Sequence, residues 1–141
     1  MYHLFKKEGL RKKKMENNNI SFNEQFRIRT KKFAIELCKF LDKLPYQDSI
    51  KIFKKQAIRS GSSVAANFRA ASRARSDAEY YSKLCIVVEE CDETIFWLEL
   101  IGEMNPKCTR QILDLQKEAQ ELLFVFSSTK KKLKDKLFKN K

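Results

Sequence analysis

The sequence predicts an all-α fold, an antiparallel up-down-up-down left-handed four-helix bundle, and three observations carry that prediction. Only three Gly and two Pro occur in 141 residues, and the prolines fall at Pro45 and Pro106, so the interior lacks the breakers an all-β chain uses at its turns. Apolar residues recur at spacings of three and four over four long stretches. Short connections between helices of this length force neighbours to alternate direction. With 43% hydrophobic residues the chain can build one core and has no room for a second.

Helix one is expected from about Asn23 to Leu44, with Phe33, Leu37, Phe40, Leu41 and Leu44 on one stripe, and Pro45 ends it. Helix two should start near Ser49, capped by Asp48 or Ser49, and end near Arg75; Ile50, Phe53, Ala57, Gly61, Val64 and Phe68 share its apolar face. Ser76 followed by Glu79 fits a capping box and opens helix three, whose core stripe is Leu84, Val87, Val88, Cys91, Ile95 and Leu98. Gly102 to Pro106 stops that helix. Asn105 then caps helix four and Pro106 fills its first turn, ahead of the stripe Ile112, Leu115, Ala119, Leu122, Phe126 and Leu133. Residues 23–133 thus form the bundle, between a basic and disordered N-terminal segment (1–22) and a basic C-terminal tail (134–141).

The formal charge of +12 is unevenly placed. Residues 1–20 carry six Lys or Arg against two acids, residues 130–141 seven Lys against one Asp, and the body between them 17 cations against 15 acids. Such basic ends attract phosphate backbones, or serve as solvated ends that keep the chain soluble. No apolar run reaches the length of a membrane span, and no apolar segment with a small-residue cleavage site follows the first basic residues, so a cytoplasmic protein is expected. The cysteines at 38, 85, 91 and 108 form no CxxC pair and read as free core thiols.

Catalytic constellations are sparse. His3 is the single histidine, which argues against a His general base, Ser-His or Cys-His nucleophile pairs and the Glu-x-x-His ligands of di-iron bundles. Glu89, Glu90 and Glu93 read as a solvated or salt-bridged face, so no metal and no cofactor is expected. There is no Gly-rich phosphate loop, and Ser60, Ser62 and Ser63 have no base near them in sequence.

Two features of the helix faces point to binding. Ile86, Trp97 and Leu100 gather opposite the core stripe of helix three, with Glu90 and Glu93 between them. A helix apolar on two sides needs two partners, so this flank either covers the edge of its own bundle or forms a subunit interface. In the second case the acids would meet Arg59, Arg69 and Arg73 of the next subunit head to tail, a geometry that closes into rings. On helix two, Ser60, Ser63 and Asn67 form a small polar stripe. It either fixes helix register by internal hydrogen bonds or offers neutral donors to phosphate beside Arg59, Arg73 and Arg75.

The strings RSGSSVAANFRAASRARS (Arg59 to Ser76) and CDETIFWLEL (Cys91 to Leu100) resemble signatures of the bacterial four-helix-bundle proteins called 23S rRNA intervening-sequence proteins, and the likeness extends loosely from Phe26 to Lys132. The resemblance implies a homopentameric barrel and a relation to the accessory proteins of diversity-generating retroelements. In that family the residue three after the Asn is commonly Glu; here it is Ala70, so any contact made by that carboxylate is absent and the face is more basic.

The expected function is a non-enzymatic, ring-forming bundle that binds structured RNA or DNA, as accessory to a nucleic-acid-processing protein. Arg59, Arg69, Arg73, Arg75, Lys130, Lys131 and Lys132 are the candidate contacts, repeated around the ring so that weak patches act together. The alternative is a protein-interaction scaffold with no nucleic-acid role. The stretch from Lys130, with Leu133, Leu137 and Phe138, is also amphipathic enough to lie on a membrane surface.

Overall fold

The computed structural model describes residues 20–139, and among them every regular element is helical. Four α-helices follow one another: α1 (Phe22–Asp42), α2 (Asp48–Ser72), α3 (Asp77–Met104) and α4 (Thr109–Phe138), with a short 3-10 turn (Pro106–Cys108) before the last. Helix α2 packs on α1 and α3, and α3 on α4, while α1 and α4 touch more sparsely. Most of the expected segment 1–22 lies outside the described residues, and its last position, Phe22, already belongs to α1. Helix α4 continues to Phe138, so the segment set apart from residue 134 is helical up to that point.

The caps show where local chemistry sets boundaries. Ser21 caps α1 by accepting from the Glu24 N–H at 3.2 Å, so the helix starts at Phe22, one residue earlier than periodicity alone placed it. Ser76 accepts from the Glu79 N–H at 3.1 Å, as a capping box requires, but the Glu79 carboxylate reaches past Ser76 to the Arg75 N–H at 3.2 Å. Two expected caps do not form. Asp48 is the first residue of α2 and its carboxylate accepts from the Tyr46 hydroxyl at 2.8 Å. Asn105 turns back to donate to Ile101 O at 2.8 Å, closing α3 instead of opening α4.

The core is built from the expected stripes, with Leu37, Leu41, Ile50, Val64, Phe68, Leu84, Leu98, Leu122 and Phe126 sealed from solvent. Phe40, Phe53, Val88 and Leu133 sit at its margin, half-buried. The aromatic end of the core is a cluster in which Phe26 meets Phe68 and Phe126 edge to face, at centroid distances of 6.4 and 5.5 Å. Of the four cysteines only Cys91 is buried; Cys38, Cys85 and Cys108 are half-buried. Burial, with Glu90 and Asp92 nearby, pushes the Cys91 thiol up to about 12. No helix among the described residues is long and apolar enough to cross a membrane.

Candidate nucleic-acid interface

The interhelical contacts gather four helix termini at one end of the bundle. Tyr80 at the start of α3 donates its hydroxyl to Asn23 of α1 at 2.8 Å. Phe22 of α1 meets Phe68 near the end of α2, with ring centroids 6.4 Å apart. The last turns of α4 return to the start of α3, where Lys136 Nζ pairs with Asp77 at 2.7 Å and Phe138 packs edge-on against Tyr81. The end of α2, carrying Arg69, Arg73 and Arg75, and the end of α4, carrying Lys130, Lys131 and Lys132, therefore share one end although they lie far apart in sequence. Among the described residues the Arg75 guanidinium makes only a long contact to Glu79 at 3.9 Å, and Lys131 and Lys132 are exposed. Phe138, half of the amphipathic pattern in this stretch, spends part of its ring on Tyr81 of the same chain.

Arg59 does not join them. It stands on the flank where α2 meets α3, bonded to Glu93 and, at 3.3 Å, to Glu90. The two acids expected to seek cations on another subunit thus have one in their own chain. The rest of that flank faces the same way: Trp97 stacks on Phe53 of α2 with centroids 5.9 Å apart, and Ile86 and Leu100 are half-buried. The helical wheel placed this stripe opposite the core because it treats α3 as touching one neighbour, whereas α3 lies between two. The Trp97 Nε1–H is buried without a partner among the described residues.

The small polar stripe is turned to helix packing at its first position. Ser60 is buried and its Oγ lies 2.8 Å from Thr94 Oγ1 of α3, each hydroxyl also reaching a carbonyl of its own helix, Ala57 O and Glu90 O. Gly61 beside it lets α1 approach: a Cβ there would collide with Leu37 Cδ2 and touch Thr94 Cγ2. Asn67 donates within α2 to Ser63 O at 2.9 Å and Ser63 Oγ at 2.8 Å.

Between α1 and α2 runs an open groove of about 830 Å³. Its floor is small and apolar, with Ala34, Ala65 and Ala66, and the half-exposed Ile28 and Ile35 stand at its lip. Five cations line it, Arg27, Lys31 and Lys39 from α1, Arg69 from α2 and Arg73 just past its end, against the single acid Asp42. None of the five is ion-paired among the described residues. The three α1 cations were not singled out from the sequence. Their signal was present as the spacing Arg27, Lys31, Ile35, Lys39, one residue every turn on a face beside the core stripe.

The other cation missed is Arg29, which bridges α1 to α4 where the two helices touch sparsely. Its guanidinium grips Glu118 through both carboxylate oxygens, at 2.5 and 2.9 Å, and Glu121 at 2.5 Å. Burial pulls this group down, but the bonds and charges of Glu118 and Glu121 outweigh it and hold the guanidinium above its usual value. Among the described residues no three metal-ligating side chains come together.

Comparison with known proteins agrees with this architecture. Residues 24–128 match the family model for the 23S rRNA-intervening sequence protein. A crystal structure of a protein of unknown function from the S23 ribosomal protein family of Bacteroides thetaiotaomicron is similar, with 28% identity and a TM-score of 0.70 over 77% of this chain and 97% of that one. A search of curated proteins finds no match. The family model covers α2 and α3 whole, with the two strings, and most of α1 and α4, stopping short of Lys130 to Lys132, and the chain therefore belongs to the 23S rRNA-intervening sequence protein family.

Proposed function

We propose that this protein is a non-enzymatic helical bundle that binds structured RNA or DNA in the cytoplasm through its cationic end, as accessory to a nucleic-acid-processing partner. The observation that supports the reading is that the α2 terminus, with Arg73 and Arg75 just beyond it, and the last turns of α4, with Lys130 to Lys132, lie at the same end of the bundle. Clustered, solvated cations release counterions on meeting phosphates, and this term is indifferent to base identity. The printed name of the family, which refers to 23S rRNA, supports an RNA-related role.

Two further parts of the proposal concern architecture. The end contacts support an antiparallel, up-down-up-down bundle, since the starts of α1 and α3 meet at one end while Ser49 of α2 reaches Met104 of α3 at the other, and the left-handed twist is the packing such bundles favour. The family resemblance supports a homopentameric ring and a kinship with the accessory proteins of diversity-generating retroelements. A ring would repeat the cationic end around an axis, so that modest contacts act together.

Light-scattering mass on a size-exclusion column tests the proposal, with protein alone and then with structured RNA or duplex DNA at low and moderate salt. A pentamer-sized mass that gains nucleic acid in a salt-sensitive way is expected. A monomer that ignores both nucleic acids would instead favour the protein-interaction scaffold.

A further inference from the structure

The near-neutral body of the chain conceals two opposed charge distributions. Helix α3 carries eight acids against Lys83 alone, whereas α2 carries five cations against Asp48. On the α2 side of α3, Arg59 bridges Glu90 and Glu93. One position round the helix lies a second stripe, Glu89, Asp92, Phe96, Glu99 and Glu103, at successive spacings of three and four, and all five are exposed. None of its four acids is ion-paired among the described residues. Phe96, at its centre, touches Trp97 edge-on and leaves 49% of its surface in water.

We infer that the groove between α1 and α2 docks this α3 stripe of a second copy of the same chain. Charge is complementary, with five unpaired cations lining the groove and four unpaired acids on the stripe. Shape agrees as well: the alanine floor leaves room for an aromatic knob, and Ile28 and Ile35 offer Phe96 an apolar rim. Length also matches, because Glu89 to Glu103 spans about 21 Å at helical rise and Arg27 to Asp42 about 22 Å. A nucleic acid has no use for an apolar floor bordered by exposed isoleucines, whereas an acidic amphipathic helix buries both. The contact is head to tail, since groove and stripe are different surfaces of one chain. It deepens the proposed ring by naming its joint, and it gives Arg69 to the joint, with Arg73 at the mouth.

The test uses four exposed side chains outside the cationic end. Lys31→Glu with Lys39→Glu, and separately Asp92→Lys with Glu99→Lys, are each expected to reduce the light-scattering mass of the full chain towards the monomer at a given concentration. The chain carrying all four substitutions restores the pairing with reversed sign and should regain wild-type mass, while circular dichroism shows the same helicity throughout. Two results would overturn the inference: a mass unchanged by either pair, or a groove pair that abolishes RNA binding while leaving the mass intact, which would make phosphate the occupant. The nucleic-acid reading stands or falls separately, on Lys130→Glu/Lys131→Glu/Lys132→Glu, which should lose RNA binding and keep its mass.

Discussion

The flank where α2 meets α3 and the groove where α1 meets α2 are built from the same kinds of residues and end in opposite states. In the flank, Trp97 fills the space against Phe53, and Arg59 answers Glu90 and Glu93, so most of the apolar surface and one of the two acidic charges are met within the chain. In the groove, alanines leave the space empty and five cations stand without acidic partners. A seam whose charges are answered internally serves stability, and a seam whose charges are left over can serve a partner. The α1–α4 contact belongs with the first kind, because Arg29 is fully engaged by Glu118 and Glu121.

Substitutions in the closed seams should therefore cost stability without touching association. The largest effect is expected from Glu118→Ala, which removes the bidentate partner of the half-buried Arg29 and leaves it only the exposed Glu121; urea unfolding should show a loss of about 3 kcal/mol. Joint replacement, Arg29→Met with Glu118→Leu, should recover most of that loss, since the penalty belongs to the under-compensated buried charge. Next comes Gly61→Val, where new methyl groups enter a space already held by Leu37 and Thr94, with an expected cost of about 2 kcal/mol in the same measurement. The smallest is Arg59→Ala. Its exposed bridge contributes under about 1 kcal/mol, and RNA affinity measured by fluorescence anisotropy should stay near wild type because the side chain is away from the cationic end. A large loss of RNA affinity in Arg59→Ala would break the distinction between the two kinds of seam.

The core was legible in the sequence because burial follows a period, and Leu37, Val64, Leu98 and Leu122 declare themselves by spacing alone. Ser76 was legible because its cap is a local event over four residues. What escaped was whatever depends on which helix lies next to which. Glu118 reads as one more surface acid until α1 places Arg29 against it, and Thr94 reads as a break in an apolar stripe until Ser60 faces it. The unequal charges of α2 and α3 vanished in a body total close to zero, and with them the groove cations Arg27, Lys31 and Lys39. Trp97 carried two readings in the sequence, a subunit interface and the edge of its own bundle, and spacing alone could not reveal that its ring stacks on Phe53 of the same chain.

The cationic end is the part of the account on which function depends. Anisotropy of a labelled structured RNA, titrated with the wild-type protein and with Lys130→Glu/Lys131→Glu/Lys132→Glu between about 50 and 200 mM salt, tests it most directly. The account predicts that wild-type affinity falls on the order of 10²-fold or more across that range, and that the triple variant binds far more weakly with a shallower salt slope. Equal affinities and equal slopes for the two proteins would contradict it.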